Sequence, residues 1–376
     1  MSSKGQKKEA SKRMENQRKF PVFELWGSAY EIGLAHGRLA RKQIEASICC
    51  YQEMFQTFSG ISWEEAKKYA CGMAKNIEEY DPEIMEEIRG IAEGAEKELG
   101  DILALNTRSE IVLQGGQVGD GCTSVAFTED VTGDGADWLG QNWDWKLEQR
   151  DALVVLKIHQ KDKPDLLLFT EAGIVGKFGL NEAGIGVCLN ALASDQKVEG
   201  PTVPLHVVLR GILNSSTLSD AIQNVGRMNL ACCANFHTAS AEGQAVAIEA
   251  GPGDFDVLYG EEGFLVHTNH FLSPRFYQVH DTGKMAFPDT FLRYGRMRQM
   301  IRAALEGEGR IHIETIQSFL RDHKGFPDSI CRHEDKNDPE GKRMGTVFSI
   351  LMNLSKREMY LTGGNPCETS YELYNL

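Results

Sequence analysis

The string DGCTS at residues 120–124 stands where the chain changes from helix-like to strand-like sequence. A glycine before a cysteine leaves the backbone free to adopt conformations that a Cβ would forbid. The thiol of Cys122 could then attack the carbonyl of Gly121, and water would cleave the ester-like intermediate that results. The freed α-amine, with an ordinary pKa of about 8, would lie within reach of its own thiol and could serve as the general base. The alternative is a buried cysteine at the start of a strand, which is the usual role of such a dipeptide.

Upstream of this string the sequence predicts helices. Residues 28–55 carry apolar side chains at spacings close to the helical period. Ser62 followed by Glu65 forms a capping box, which predicts a helix over 63–80. A further helix is predicted to begin at Pro82, because proline after an aspartate suits the first helical turn.

Downstream of the string the sequence predicts short strands separated by turn residues, with two helices between them. One helix is expected over 204–213 and the next is expected to be capped by Ser219. Helices first and strands second indicate a layered α/β domain with a helical segment wrapped around it. The expected strands are 123–127, 137–143, 152–158, 166–172, 174–180, 184–192, 231–238, 244–249, 264–268, 346–354 and 358–363.

The overall composition excludes several classes of function. A net charge of −14 argues against a nucleic-acid partner and, more weakly, against an anionic membrane surface. No run approaches the roughly 20 apolar residues that span a bilayer. Residues 1–19 are basic and polar without the apolar core of a secretory signal, and are expected to form a disordered tail. Nine cysteines without a CxxC pattern favour a reducing, cytoplasmic compartment.

Between Phe20 and about Glu372 the chain carries eight characteristic strings in this order: EIGLAHG, EEIRGIAEGAE, LNTRSE, DGCTS, GQNWDW, FTEAGIVGKFGLNEAGIGVCLNAL, VHTNH and DSICR. The chain resembles the isopenicillin N acyltransferases, also called acyl-coenzyme A:6-aminopenicillanic acid acyltransferases. The resemblance implies the four-layer αββα sandwich of N-terminal-nucleophile hydrolases. It also implies self-cleavage into a small helical subunit, residues 20–121, and a large catalytic subunit, residues 122–376, that remain together as a heterodimer.

The resemblance assigns roles to five residues. Cys122 corresponds to the nucleophile that becomes the new N-terminus. Asp144, in GQNWDW, is similar to the carboxylate that orients the α-amine by a charge-assisted hydrogen bond. Asn269, in VHTNH, is similar to the amide that donates to the oxyanion, and Arg332, at the end of DSICR, to an arginine of the nucleophile pocket. Asn190, in CLNAL, is similar to an oxyanion position in the related bile-salt and penicillin V hydrolases. Each could instead be structural, as a turn carboxylate, a loop amide or a surface ion pair.

Other constellations are set aside, and neither a metal nor a cofactor is expected. His267 and His270 with Cys331 and His333 nominally supply two pairs of zinc ligands. The first pair, however, lies in the VHTNH string, where Asn269 already has a role. The glycine-rich run 173–186 lacks the GxGxxG and GK[ST] patterns of phosphate-binding loops, and the chain has no GxSxG elbow.

The expected reaction is acyl transfer in two steps, in which Cys122 takes an acyl group and an amine or water receives it. The resemblance implies isopenicillin N or an arylacetyl coenzyme A as acyl donor, and 6-aminopenicillanic acid as acceptor. The chain ends in Tyr374-Asn375-Leu376, which does not fit a peroxisomal address. Two alternatives stay open: an N-acyl-amide hydrolase or transferase of the same family that acts on another small molecule, and a catalytically silent binding protein on this scaffold.

Overall fold

Two β-sheets packed face to face form the centre of the protein. The computed structural model describes residues 19–113, 121–196, 199–251 and 253–376. Within these ranges the strands are β1 (Val22–Gly27), β2 (Gly121–Phe127), β3 (Trp138–Trp145), β4 (Leu153–Gln160), β5 (Leu166–Glu171), β6 (Phe178–Asn181), β7 (Ile185–Ala191), β8 (Thr202–Val203), β9 (Asn229–Leu230), β10 (Ala234–Ser240), β11 (Gln244–Gly251), β12 (Asp254–Tyr259), β13 (Phe264–His267), β14 (Gly345–Asn353), β15 (Glu358–Thr362) and β16 (Tyr371–Asn375).

The larger sheet has eight strands in the order β1-β4-β5-β6-β7-β10-β11-β12, and the smaller has six in the order β13-β2-β3-β14-β15-β16. β1 pairs with β4 in parallel, whereas the other pairs of the two large sheets are antiparallel. Strands such as β2, β3 and β7 are buried along their whole length, because one face meets the other sheet and the opposite face is covered by helices.

Helices cover both outer faces of this sandwich. Those of the first third and the pair α8 and α9 pack on the side of the eight-stranded sheet, while α11 and α12 cover the six-stranded sheet. The predicted four-layer αββα sandwich is therefore confirmed. The helices are α1 (Ala29–Leu39), α2 (Arg41–Met54), α3 (Trp63–Cys71), α4 (Ala74–Tyr80), α5 (Pro82–Ala95), α6 (Leu99–Asn106), α7 (Arg108–Leu113), α8 (Leu205–Leu213), α9 (Leu218–Gly226), α10 (Gly283–Ala286), α11 (Asp289–Glu308) and α12 (Ile313–Leu320).

Helices α1 and α5 cross with their backbones in direct contact. A Cβ added to Gly33 would lie 2.1 Å from the carbonyl oxygen of Glu87, and one added to Gly90 would lie 2.2 Å from that of Tyr30. Only glycine fits at such distances, because real Cβ atoms do not approach a carbonyl oxygen so closely. The strings EIGLAHG and EEIRGIAEGAE supply the glycines of this crossing, so they are explained by packing rather than by chemistry.

Several local predictions are confirmed, and others differ in detail. Ser62 and Pro82 begin helices as expected, the former with a complete capping box. The helix predicted over 63–80 breaks after Cys71, at a glycine, and the one over 28–55 breaks at the non-helical residue Ala40. The later helix is capped by Thr217 and not by Ser219, since the Thr217 side chain accepts the backbone N–H of Asp220.

Several elements were not anticipated from the sequence, among them β12, β16 and α12. The first third contributes β1 to the larger sheet as well as helices, and the 20-residue helix α11 follows β13. In addition, the strand predicted over 174–180 begins only at Phe178, because Gly173 has a φ of +93° and residues 173–177 form a turn. The buried face of α11 includes Thr290 and Arg293, so hydrophobic periodicity does not reveal it.

Parts of the predicted organisation fall outside the described residues. These are residues 1–18 of the expected tail and Asp120 of the DGCTS string. The division into subunits 20–121 and 122–376 stays a prediction. Among the residues that are described, no helix combines the length and the apolar character needed to cross a bilayer.

The crossing of α1 and α5 can be tested by adding one methyl group. Gly33→Ala should lower the free energy of unfolding by about 1–3 kcal/mol, because the two backbones must separate. Gly307→Ala is the control: it lies in α11 with open space around its Cα and should raise stability by about 0.5–1 kcal/mol through helix propensity. Urea unfolding of both variants checks this, and equal effects would contradict a backbone-limited crossing.

Candidate active site

Cys122 is the second residue of β2 and is fully buried. Alternate residues of a strand point to the same face, so its side chain shares a face with that of Ser124. The hydroxyl of Ser124 lies 2.7 Å from Oδ1 of Asn190 on β7 and 2.8 Å from Nδ1 of His237 on β10. The thiol of Cys122 therefore points into the space between the two sheets.

The backbone of Cys122 is held on both sides. Its N–H donates to Oδ1 of Asn269 over 2.8 Å, and its carbonyl oxygen accepts Nη1 of Arg293 over 2.6 Å. Nη2 of the same arginine donates to Oδ1 of Asn269 over 3.0 Å. The amide nitrogen of Asn269 donates to the carbonyl oxygen of Ala191 over 3.1 Å. In this intact chain Asn269 thus positions the backbone nitrogen of Cys122.

Asp144 lies on β3 directly opposite Gly121. A Cβ on Gly121 would come within 2.8 Å of the Cβ of Asp144 and 3.0 Å of its Oδ2. Oδ1 accepts the hydroxyl of Thr346 over 2.6 Å, whereas Oδ2 lies 3.5 Å from Nε of Arg332 and has no hydrogen-bond partner among the described residues. Burial raises the pKa of Asp144 to about 6, although the positive charges of Arg332 and Arg293 oppose the rise.

Arg332 joins this group from the segment between α12 and β14. It lies within salt-bridge distance of three carboxylates: Asp144, Asp289 and Asp328. Asp289 also binds Arg293 over 2.7 Å. Burial alone would raise the pKa of Asp289, but the two arginines lower it. The guanidinium groups of Arg293 and Arg332 thus lie among these three carboxylates beside the start of β2.

The structure brings four of the five predicted site residues, Cys122, Asp144, Asn269 and Arg332, into one network. Asn269 is bonded directly to Cys122. Arg293 and Asp289 connect Asn269 to Arg332, which in turn faces Asp144. Asn190 is not bonded to this network but lies beside it, because it binds Ser124, which shares a face of β2 with Cys122. Its Oδ1 accepts the hydroxyl of Ser124 and the amide of Asn235, while its Nδ2 has no hydrogen-bond partner among the described residues. A buried amide nitrogen without an acceptor is costly, and such a donor is available to a ligand oxygen.

The chain is similar to known acyltransferases. A family model for acyl-coenzyme A:6-aminopenicillanic acid acyl-transferase matches residues 131–368. The 40 kDa form of acyl-coenzyme A:6-aminopenicillanic-acid-acyltransferase from Emericella nidulans is 31% identical over 345 residues, covering 90% of this chain and 91% of the relative. The chain belongs to this acyltransferase family. The resemblance seen in the sequence is confirmed, and membership supports an enzyme of acyl transfer or amide hydrolysis.

Solved structures similar to this family member are more distant. A mutant conjugated bile acid hydrolase from Clostridium perfringens has a TM-score of 0.48 at 14% identity, covering 68% of this chain and 97% of that one. Penicillin V acylase from Agrobacterium tumefaciens has a TM-score of 0.46 at 12% identity, covering 64% of this chain and 82% of that one.

In this acyltransferase-family chain the sequence did not point to Arg293 or Asp289. Arg293 contacts Cys122 and Asn269 at once, and Asp289 connects it to Arg332. Both residues lie on α11, a helix that the sequence analysis did not predict, and neither falls in the strings that carry the resemblance. The one available signal is the Asp-x-x-x-Arg spacing, which is common on helix surfaces and therefore uninformative alone.

The string FTEAGIVGKFG builds a buried ion cluster beside the site. The carboxylate of Glu171 contacts Lys177 and the hydroxyl of Tyr51, and Nη2 of Arg108 lies 3.8 Å away. Lys177 stands 3.3 Å above the ring of Trp143, the cross-strand neighbour of Cys122. Burial would raise the pKa of Glu171, but Lys177 and Arg108 lower it to about 2. The cluster stays ionised and supports the wall behind Cys122.

A cavity of about 720 Å³ opens beside Arg332 and Asp289. Leu292 and Phe291 at its mouth are 71% and 48% exposed, so apolar surface is available to a ligand there. Cys122 is not among the lining residues of the intact chain. The apolar part of the lining comprises Phe58, Ala286, Phe287, Pro288, Phe291, Leu292, Pro339 and Met344.

The zinc constellation considered from the sequence does not form as written. Nε2 of His267 binds Glu249 over 2.8 Å and its Nδ1 lies 2.8 Å from the carbonyl oxygen of Thr268, so both ring nitrogens are engaged inside the protein. Nδ1 of His270 is bonded to Thr290. Cys331 and His333 instead lie beside His323 and Cys367, which the sequence did not connect with them.

The raised pKa of Asp144 predicts a pH dependence of stability. Because the folded protein binds this proton more tightly than the unfolded chain, the protonated carboxyl stabilises the fold, and that contribution is lost as the pH rises from about 4 through about 6. In a Cys122→Ala background, which lacks the thiol, the free energy of unfolding of Asp144→Asn should therefore rise relative to that of its parent by about 2–3 kcal/mol across this window. Urea unfolding at several pH values measures the difference.

Asp130→Asn, at an exposed position, controls for the removal of a carboxylate in general. A constant difference between Asp144→Asn and its parent from pH 4 to pH 7 would contradict the raised pKa.

Proposed function

We propose that this protein is a self-cleaving cysteine N-terminal-nucleophile enzyme that transfers or hydrolyses acyl groups through Cys122. In self-cleavage the thiol attacks the carbonyl carbon of Gly121, and the peptide C–N bond breaks as the thiol proton passes to the departing nitrogen. Water then hydrolyses the thioester, which frees the Gly121 carboxylate and restores the thiol. In turnover the same thiol takes an acyl group from an amide or a thioester and passes it to an amine or to water.

The observation that carries this proposal is the setting of the backbone nitrogen of Cys122. That nitrogen, held by Asn269, would become the α-amine after cleavage. The departure of Gly121 would open the space beside Asp144, whose Oδ2 has no hydrogen-bond partner among the described residues. A charge-assisted hydrogen bond from the amine to this oxygen would then orient the general base.

The proposed oxyanion donors are the two asparagines. Nδ2 of Asn269 carries two N–H groups, of which Ala191 takes one, and Nδ2 of Asn190 has no partner among the described residues. Preorganised amide donors of this kind stabilise the charge that develops on a carbonyl oxygen, and each is typically worth about 10²–10³ in rate.

The two proposed products should stay together after cleavage. The first piece contributes β1 to the eight-stranded sheet, where it pairs with β4, and its helices supply a large part of the apolar core. Separating the pieces would expose this core, and hydrophobic burial opposes that strongly.

The processing step has a direct test. Freshly made protein should convert from one chain to two, of 121 and 255 residues, with Cys122 as the new N-terminus of the larger piece (376 − 121 = 255). Cys122→Ala should remain a single chain, since it has no thiol to attack Gly121. Intact mass and N-terminal sequencing follow the conversion, and gel filtration shows whether the pieces co-elute.

Cys188→Ala is the matched control, because Cys188 is another fully buried cysteine of the sandwich and lies on β7. It should be processed like the wild type. A wild-type protein that stays uncut while fully active would refute the N-terminal-nucleophile mechanism.

For the substrate, the cavity beside Arg332 supports an acyl donor with an apolar or aromatic acyl group. Its wall includes three phenylalanines, and Arg332 and Lys342 could face a carboxylate. Family membership adds isopenicillin N or arylacetyl coenzyme A as candidate donors, with 6-aminopenicillanic acid as candidate acceptor. Acyl transfer to this amine is the reaction that we propose first.

The charge of the cavity favours a second candidate, an N-acyl-amide hydrolase or transferase that acts on another small molecule. Its lining includes Asp289, Asp328, Asp335 and Asp338 against Arg332 and Lys342. An excess of carboxylates repels a polyanion such as coenzyme A more than it repels a small amide.

A substrate panel separates these candidates. Wild-type turnover of arylacetyl coenzyme A with 6-aminopenicillanic acid should rise when salt is added, because screening weakens the repulsion, whereas hydrolysis of a chromogenic arylacetyl amide should change little. Asp335→Asn with Asp338→Asn should raise kcat/KM for the thioester selectively, and Asp130→Asn serves as the distant control. Turnover of amides alone would select the second candidate, and the absence of thiol-dependent turnover would indicate a binding protein.

A further inference from the structure

We propose that His323, Cys331, His333 and Cys367 bind one zinc ion. Each residue offers one ligand atom, and the four atoms all lie within 4.8 Å of one another. Two sulfurs and two imidazole nitrogens in this arrangement form the Cys₂His₂ set that tetrahedral structural zinc prefers. The inference is independent of the proposed acyl transfer.

Four of the six distances between ligand atoms are close to those of a tetrahedron around zinc, and the two from His323 to the sulfurs are within 4.8 Å. With Zn–S bonds of about 2.3 Å and Zn–N bonds of about 2.05 Å, tetrahedral angles place two sulfurs about 3.8 Å apart, two nitrogens about 3.3 Å apart, and a sulfur and a nitrogen about 3.6 Å apart. The sulfurs of Cys331 and Cys367 are 3.5 Å apart, and Nε2 of His323 and His333 are 3.1 Å apart. The sulfur-to-nitrogen distances from His333 are 3.8 Å and 3.4 Å.

The chemistry of the four groups also favours a metal. Both cysteines are free thiols, and their 3.5 Å separation is far beyond a disulfide bond of about 2.05 Å. Binding would release the two thiol protons, and two thiolates with two neutral imidazoles would neutralise the ion. The amide of Asn365 points at the sulfur of Cys331 over 3.7 Å, a contact of the kind that supports metal-bound thiolates.

The four ligands come from two connections that are distant in sequence. Three lie between α12 and β14, and Cys367 lies between β15 and β16. A zinc ion would tie these connections together at the end of the six-stranded sheet. Four protein ligands leave no open position, so the ion would be structural and would not bind substrate.

The site would also position Arg332, which stands between two of the ligands. The backbone N–H of Arg332 donates to the hydroxyl of Thr346, which in turn donates to Asp144, and its carbonyl oxygen accepts the amide of Asn365. Fixing residues on both sides of Arg332 limits the movement of its guanidinium between Asp144 and Asp289. We expect zinc to order this segment rather than to take part in the chemistry.

The test is metal analysis of the full-length protein. Protein purified without chelators, or reconstituted with zinc, should contain about one zinc per chain by elemental analysis. Cobalt substitution should give the visible bands of a tetrahedral ion and a thiolate-to-cobalt charge-transfer band. Cys367→Ser should lose most of the bound zinc and weaken the charge-transfer band, and a chelator should lower the melting temperature of the wild type but not of this variant.

Cys49→Ser and His280→Ala, both at exposed positions away from the cluster, are the matched controls and should keep the metal. Should Cys367→Ser fold poorly, His323→Ala replaces an exposed ligand and leaves no buried cavity. Zinc no higher in the wild type than in these ligand variants, or a Cys331–Cys367 disulfide found by mass spectrometry of the non-reduced protein, would overturn the proposal.

Discussion

The antiparallel pairing of β2 with β3 is the constraint on which the site depends. It sets Gly121 directly opposite Asp144, at a distance that leaves no room for a Cβ. The backbone nitrogen of Cys122 follows at once, and Asn269 and Arg293 close around it. The proposed nucleophile, the carboxylate of Asp144 and the bond proposed to be cut are thereby arranged by strand register, which is strongly specified in a buried sheet.

Burial acts differently on two carboxylates of the same sandwich. Glu171 contacts Lys177 directly and lies near Arg108, so its pKa falls to about 2 and the group stays charged. Asp144 has arginines at longer range, and burial raises its pKa to about 6. The first group serves the stability of the wall, while the second is held near the pH range in which proton transfer is useful.

The segment between α12 and β14 connects the cavity beside Arg332, the network around Cys122 and the proposed metal site. Arg332 lines the cavity and faces Asp144, and its neighbours Cys331 and His333 belong to the Cys₂His₂ cluster. Such a segment has little regular structure of its own. An ion that ties it to the connection carrying Cys367 would supply the rigidity that hydrogen-bonded strands supply elsewhere.

The sequence by itself determined the layered α/β class, most of the strands, the family, and the residues carried by its strings. These features depend on local periodicity, caps and short motifs, each of which is formed by residues close together in sequence. Only the tertiary structure decided what residues far apart in sequence do together. Arg293 lies on a helix whose buried face is partly polar, and Cys367 is 34 residues beyond His333. Neither produces a pattern of apolar spacing, because a buried charge or a metal ligand is specified by the partners that surround it in space.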